Sequence, residues 1–184
     1  MDLQTIKNQL PEYTKDLKLN IGSVLTPEGA PGLSEQQIAG IALTAALTAR
    51  NAVFTEQLQQ ALAATLEPAT ITGAQTAAAI MAMNNIYYRS LHLLSEKDYL
   101  GMPAKLRMNA IARPGVDKID FELYSLAASA INGCGMCLDS HEKELRKQGL
   151  GKESIQSALR IAAVIHAVAV TLENNASPAL AQAA

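Results

Sequence analysis

Residues 117–149, DKIDFELYSLAASAINGCGMCLDSHEKELRKQG, set two helices end to end around a single break. Asp117 has the short acceptor side chain that caps a helix N-terminus. From it Phe121, Leu123, Tyr124, Leu126, Ala127 and Ala130 carry an apolar helical run to about Asn132. Gly133 breaks the run and lets a second helix begin at the cysteines. That helix runs to Gly149, a glycine of the kind that follows a helix C-terminus, with Lys143, Arg146 and Lys147 near its negative end.

The break also gathers the reactive side chains. The chain has 2 cysteines and 3 histidines, and both cysteines fall with His141 inside residues 132–141. At about 100° per residue, a helix opening at Cys134 puts Cys134, Cys137 and His141 within roughly 60° of one another. A thiol pair and a base therefore share one stripe, and His141 is expected there as a surface-facing group.

Outward from this unit the pattern stays helical. Leu3, Ile6, Leu10, Tyr13 and Leu17 have helical spacing over Asp2 to Leu19, with Pro11 kinking or splitting the run. Asn20 to Leu33, with Pro27, Gly29, Pro31 and Gly32, reads as a loop. Ser34 and Gln37 form a capping box for a helix to about Arg50. A further helix is expected from Ala52 to Thr65, ended by Pro68, and an alanine-rich buried one from about Thr70 to Leu94. The latter closes on a more polar stretch, Asn84-Asn85-Ile86-Tyr87-Tyr88-Arg89-Ser90. Gly101, Pro103, Pro114 and Gly115 leave room for a short helix around Lys105 to Ile111. The last helix spans about Lys152 to Asn174, with Ile155, Leu159, Ala162, Ala163, Ile165 and Ala169 on one face, and the tail from Ser177 is read as frayed.

Composition agrees with an all-α fold. Of 184 residues, 49% are hydrophobic but only 4% aromatic, with no tryptophan, which favours close-packed helices over sheets. One domain over 1–184 is expected. A weak repeat at an offset of 48, aligning Ala79, Ala82, Met83 and Asn84 with Ala127, Ala130, Ile131 and Asn132, suggests duplicated halves of about 34–100 and 101–175, the first degenerate. A net charge of −2 gives no electrostatic footprint for nucleic acid or an anionic membrane. The apolar stretch Ile161 to Leu172 is shorter than the roughly 20 residues that span a bilayer. Met1-Asp2-Leu3-Gln4 does not resemble a signal peptide, so the cytoplasm is the expected compartment, and the sequon Asn175-Ala176-Ser177 carries no weight there. Alanine-rich helices bury little apolar area each, so self-association is expected.

In a reducing compartment a lone C-x-x-C points to redox or metal chemistry more than to a structural bridge. A helix N-terminus and a histidine one turn on both favour thiolate, and the spacing lets the two cysteines close a disulfide. The alternatives are a buried reduced pair, or a metal site that would have three ligands where zinc takes four. Glu122 lies 12 residues before Cys134, and a turn at Gly133 would return it toward His141; by helix phase alone a solvated carboxylate is favoured. His92 and His166, in apolar surroundings, read as packed or capping.

Glu122, eleven residues, Cys134-x-x-Cys137, three residues and His141 resemble the alkyl hydroperoxide reductase D (AhpD) family, within the carboxymuconolactone decarboxylase-like superfamily. The flanks Phe121-Glu122-Leu123 and Ala130-Ile131-Asn132-Gly133-Cys134 match as well. So do Leu10-Pro11-Glu12-Tyr13, Ala79-Ile80-Met81-Ala82-Met83-Asn84-Asn85 and Arg107-Met108-Asn109, and the similarity covers nearly the whole chain. The resemblance implies an AhpD-like helical fold, a homotrimer, and an antioxidant peroxidase whose redox-active disulfide is reduced by a dihydrolipoyl protein and whose dithiol regenerates a peroxiredoxin of AhpC type. It implies Glu122 and His141 as proton relay and Cys134 and Cys137 as redox pair, with no tightly bound cofactor and no metal. Relatives with a histidine inside the C-x-x-C differ from this chain, where Gly135-Met136 intervene. Of the two thiols, Cys137, nearer His141 in sequence, is expected to be the activated one and Cys134 the one that closes the disulfide. Two rivals remain: a decarboxylase or lactone-processing enzyme using His141 as acid and base, and a non-catalytic helical oligomerisation module.

Overall fold

The structure, a computed structural model, describes residues 2–176, so the tail from Ser177 lies outside the described residues. It is all-helical: α1 Gln4–Gln9, α2 Lys15–Val24, α3 Glu35–Ala49, α4 Ala52–Ala61, α5 Pro68–Leu93, α6 Asn109–Ala112, α7 Lys118–Ile131, α8 Gly135–Lys147 and α9 Lys152–Asn175. Short 3-10 turns at Glu12–Thr14 and Asp98–Gly101 complete it.

Helix α3 is the centre. Ser34 and Gln37 form the expected capping box, and the helix then runs through Ile38, Ile41, Leu43, Ala45 and Ala46, all buried. It packs on α5, α7 and α9, which themselves meet on α7. Small side chains permit that proximity. At Gly40 an added Cβ would collide with the ring of Tyr124, the largest wholly buried side chain. Each fully buried leucine or isoleucine here contributes about 1.5–3 kcal/mol.

Several boundaries differ from the sequence reading, each for a local reason. Pro11 does split the N-terminal run, but Asn20 to Val24 belongs to α2 rather than to a loop, because Ile21 and Val24 bury where α2 packs on α9. Tyr13 does not join the apolar face: it is 73% exposed, and its hydroxyl lies 3.4 Å from Asn175 Oδ1. Pro68 opens α5 instead of merely ending α4, since its missing N–H is harmless in the first turn. No helix starts at Lys105, whose φ of 53° is left-handed, so α6 waits until Asn109. Ala163 on α9 is exposed, not buried. At 24 residues α9 is by length and composition able to cross a membrane, contrary to the shorter span read from sequence, yet half of its most apolar window is buried in the fold.

The helices recur in order. α3, α4 and α5 have 15, 10 and 26 residues, and α7, α8 and α9 have 14, 13 and 24. Arg50, at φ 64°, precedes the N-cap Asn51, whose side chain accepts from Phe54 N–H; Gly133, at φ 67°, precedes the N-cap Cys134, whose side chain accepts from Cys137 N–H. These residues pair at a common spacing different from 48, which would set Asn84, inside α5, against Asn132, at the end of α7. In the register that pairs Arg50 with Gly133 and Asn51 with Cys134, the buried Ala39 and Leu58 stand opposite Glu122 and His141.

Candidate active site

The α7–α8 turn builds the site. Asp117 caps α7 by accepting from Ile119 N–H at 2.8 Å. α7 ends at Asn132, and Gly133 takes the left-handed conformation that a side chain would resist. The Cys134 N–H donates back to the Ser129 carbonyl at 3.1 Å, and α8 starts at once. Cys134 is its N-cap, with Sγ accepting from Cys137 N–H at 3.3 Å.

Cys134 and Cys137 are joined in a disulfide, their Cα atoms 5.3 Å apart. Cys134 is wholly buried and Cys137 is 7% exposed, while the backbone on either side of Cys134, at Gly133 and Gly135, is open to solvent. The sulfurs sit at the positive end of α8, where anionic sulfur is favoured once the bond is cleaved.

Glu122 comes back to meet His141. Its Oε2 lies 2.7 Å from His141 Nδ1, with Glu122 7% exposed and the His141 side chain 12% exposed. Both expectations from helix phase are thereby corrected: Glu122 is not a solvated carboxylate, and His141 is not surface-facing. The reason is the sharp turn at Gly133, which lays α8 back against α7. An ionised carboxylate only accepts, so Nδ1 is the nitrogen that carries the proton, and Nε2 is left to give or take one.

Around the pair, Lys118 on α7 and Glu144 on α8 form an ion pair across the two helices. The Glu144 carboxylate holds the Lys118 ammonium above its usual range, and Lys118 in turn holds the Glu144 carboxyl below its own. Lys143 and Asp139 pair along α8 at 2.8 Å. Exposed pairs of this kind are screened by solvent and add little to stability. Among the described residues no group of three or more His, Cys, Asp or Glu is placed to hold a metal. His92 is exposed in the last turn of α5 rather than packed, and His166 is half-buried on α9.

Reading by motif named Glu122 but gave no role to Ser129, Asn85 and Arg89, which hold the turn. Glu122, Ser125 and Ser129 form a polar stripe at helical spacing on α7, all buried. Asn85 of α5 bonds Ser129 and Asn132, and Arg89 bonds the Asn132 carbonyl. The signal was present: polar side chains every third or fourth residue inside otherwise apolar helices.

Comparison with known proteins agrees with this geometry. Residues 97–182 match the family described as the carboxymuconolactone decarboxylase family. A Gluconacetobacter diazotrophicus protein named alkyl hydroperoxide reductase AhpD is 52% identical over 177 residues, 96% of each chain. The chain belongs to the AhpD family. A Streptomyces coelicolor AhpD is also 52% identical, over 96% of this chain and 97% of its own. A Coxiella burnetii AhpD is 54% identical over 91% of this chain and 94% of its own. Similarity at this level reaches across both halves, so the AhpD relation covers the helices that support the site as well as the site.

Proposed function

We propose that this chain is an antioxidant thiol–disulfide oxidoreductase with hydroperoxide reductase activity. The observation that carries the reading is the Cys134–Cys137 disulfide at the start of α8, the helix that also carries His141 in contact with Glu122. The relatives named alkyl hydroperoxide reductase AhpD support it.

In the proposed cycle a dihydrolipoyl dithiol attacks the disulfide and leaves as cyclic lipoyl disulfide, its two electrons and two protons passing to Cys134 and Cys137. The Cys137 thiolate, the more exposed of the pair, then attacks the terminal oxygen of a hydroperoxide. The alcohol leaves with a proton supplied through His141, and Cys137 becomes a sulfenic acid. Cys134 closes the disulfide with loss of water. Where the acceptor is instead an oxidised peroxiredoxin of AhpC type, the same dithiol reduces its disulfide by exchange. Glu122 holds His141 in one tautomer and orientation, with Nε2 free for proton transfer.

The assembly we propose is a homotrimer in the cytoplasm, formed from one AhpD-like domain per chain. Ile86, Leu93, Leu94 and Met102 are exposed apolar side chains on α5 and the segment after it, and they support an interface there.

The test is stoichiometric. The protein reduced with dihydrolipoamide should show two thiols by titration, lose both on addition of tert-butyl hydroperoxide, and regain them on a second reduction. No thiol loss with either peroxide or an oxidised AhpC-type peroxiredoxin would overturn the reading. The family match favours one rival, a decarboxylase using His141. The Cys134→Ser/Cys137→Ser variant separates them, since a decarboxylase would keep its activity and the redox enzyme would lose all of it.

A further inference from the structure

Asn85 lies in α5 and is wholly buried, where an amide is costly unless both its ends are bonded. Both ends are bonded, and the bonds that leave α5 go to the last turn of α7 and its cap, just before the cysteines. Nδ2 donates to Ser129 Oγ at 2.9 Å, and Oδ1 accepts from Asn132 Nδ2 at 2.9 Å. One helical turn further, Arg89 Nη1 donates to the Asn132 carbonyl at 3.2 Å. Ser129, held by its hydroxyl, uses its carbonyl to accept the Cys134 N–H at 3.1 Å. Side chains of α5 thus grip the chain just before its left-handed glycine, and the Ser129 carbonyl carries that hold across to Cys134.

We propose that Asn85 is a positioning residue for the redox pair: by fixing the Asn132–Gly133 turn it holds Cys134 as the cap of α8, in bonding distance of Cys137, and so sets the equilibrium between disulfide and dithiol. The inference rests on the reading of Cys134 and Cys137 as a redox couple, but not on the identity of the oxidant. Reduction breaks the Cys134–Cys137 S–S bond and places two electrons and two protons on the sulfurs. An external dithiol is oxidised to its cyclic disulfide in the same exchange. The stability of the protein disulfide follows from the effective concentration of one thiol at the other, and a turn clamped in the closed geometry keeps that concentration high. A turn released from α5 lets the thiols separate, and the disulfide becomes easier to reduce.

The polar stretch that closes the alanine-rich helix acquires a purpose on this account. Asn85 and Arg89 face the redox turn, whereas Asn84, also buried, makes none of these bonds.

The experiment equilibrates the full-length protein in buffers of graded reduced to oxidised dithiothreitol and counts free thiols by alkylation and mass. Asn85→Ala is expected to shift the equilibrium toward dithiol by about tenfold, or about 30 mV for a two-electron couple. Asn132→Ala, which removes one of the same bonds from a less buried side chain, should shift it in the same direction, and it carries the test if Asn85→Ala does not fold. Asn84→Ala should leave it unchanged. The proposal is overturned if Asn132→Ala and any folded Asn85→Ala stay within about twofold of the parent, or if Asn84→Ala shifts as far, which would mean general loosening of the core. A parent protein whose disulfide never exchanges with dithiothreitol overturns this proposal and the redox function together, an outcome distinct from both.

Discussion

Glu122 Oε2 and His141 Nδ1 are 2.7 Å apart although 19 residues separate them in the chain. The contact joins the second turn of α7 to the middle of α8, and it removes both side chains from most of the solvent. A carboxylate in that place orients the imidazole and leaves Nε2 as the nitrogen free to exchange a proton.

Glu122→Gln should cut peroxide turnover by roughly 10²-fold, because the amide keeps a polar contact to His141 but loses the charge. Thermal stability should stay within about 1 kcal/mol. Steady-state peroxide consumption with a melting curve on the same preparation checks it; undiminished turnover in a folded variant removes Glu122 from the mechanism.

His141→Ala is expected to be more damaging to stability. It leaves a buried carboxylate without its partner, a situation that costs about 3–5 kcal/mol. Adding Glu122→Gln to the same chain should return part of that loss, since the uncompensated charge is then gone. Denaturant unfolding of the single and double variants measures it, and a double variant no more stable than His141→Ala would count against the pairing.

Asp120, half-buried on α7, accepts from Gln37 Nε2 at 2.9 Å. Burial is the main cause that pushes its carboxyl above the usual aspartate range, and the Gln37 bond opposes the shift. A carboxyl with a raised folded-state pKa binds its proton more tightly folded than unfolded. Stability is therefore lost as pH rises from the ordinary aspartate range through the folded value. Asp120→Asn should raise the melting temperature at pH 7 and leave it little changed in strong acid, where Asp120 is already protonated. A variant with a lower melting temperature at pH 7 would show that the Gln37 bond outweighs desolvation.

Gly40→Ala should destabilise by about 1–3 kcal/mol, because the new methyl collides with the Tyr124 ring in a core with no slack. Tyr124→Leu in the same background relieves the collision and should recover part of the loss. Equal unfolding midpoints for Gly40→Ala and the parent would show that the α3–α7 packing yields more easily than its geometry implies.

The sequence alone was enough to determine the helical fold class, the capping of α3 and α7, the break at Gly133 and the clustering of Cys134, Cys137 and His141, because each depends on local chemistry: cap acceptors, a glycine free of Cβ strain, and the fixed angular step of a helix. Helix limits such as Asn20–Val24 were not legible there, since burial of Ile21 and Val24 against α9 decides them. The sequence resemblance named Glu122 and His141 together, but their direct contact and burial, and the grip of Asn85 and Arg89 on Asn132, belong to tertiary structure. Helix phase places a side chain around its own axis, but which neighbouring helix lies along that direction is fixed only when α5, α7 and α8 pack together.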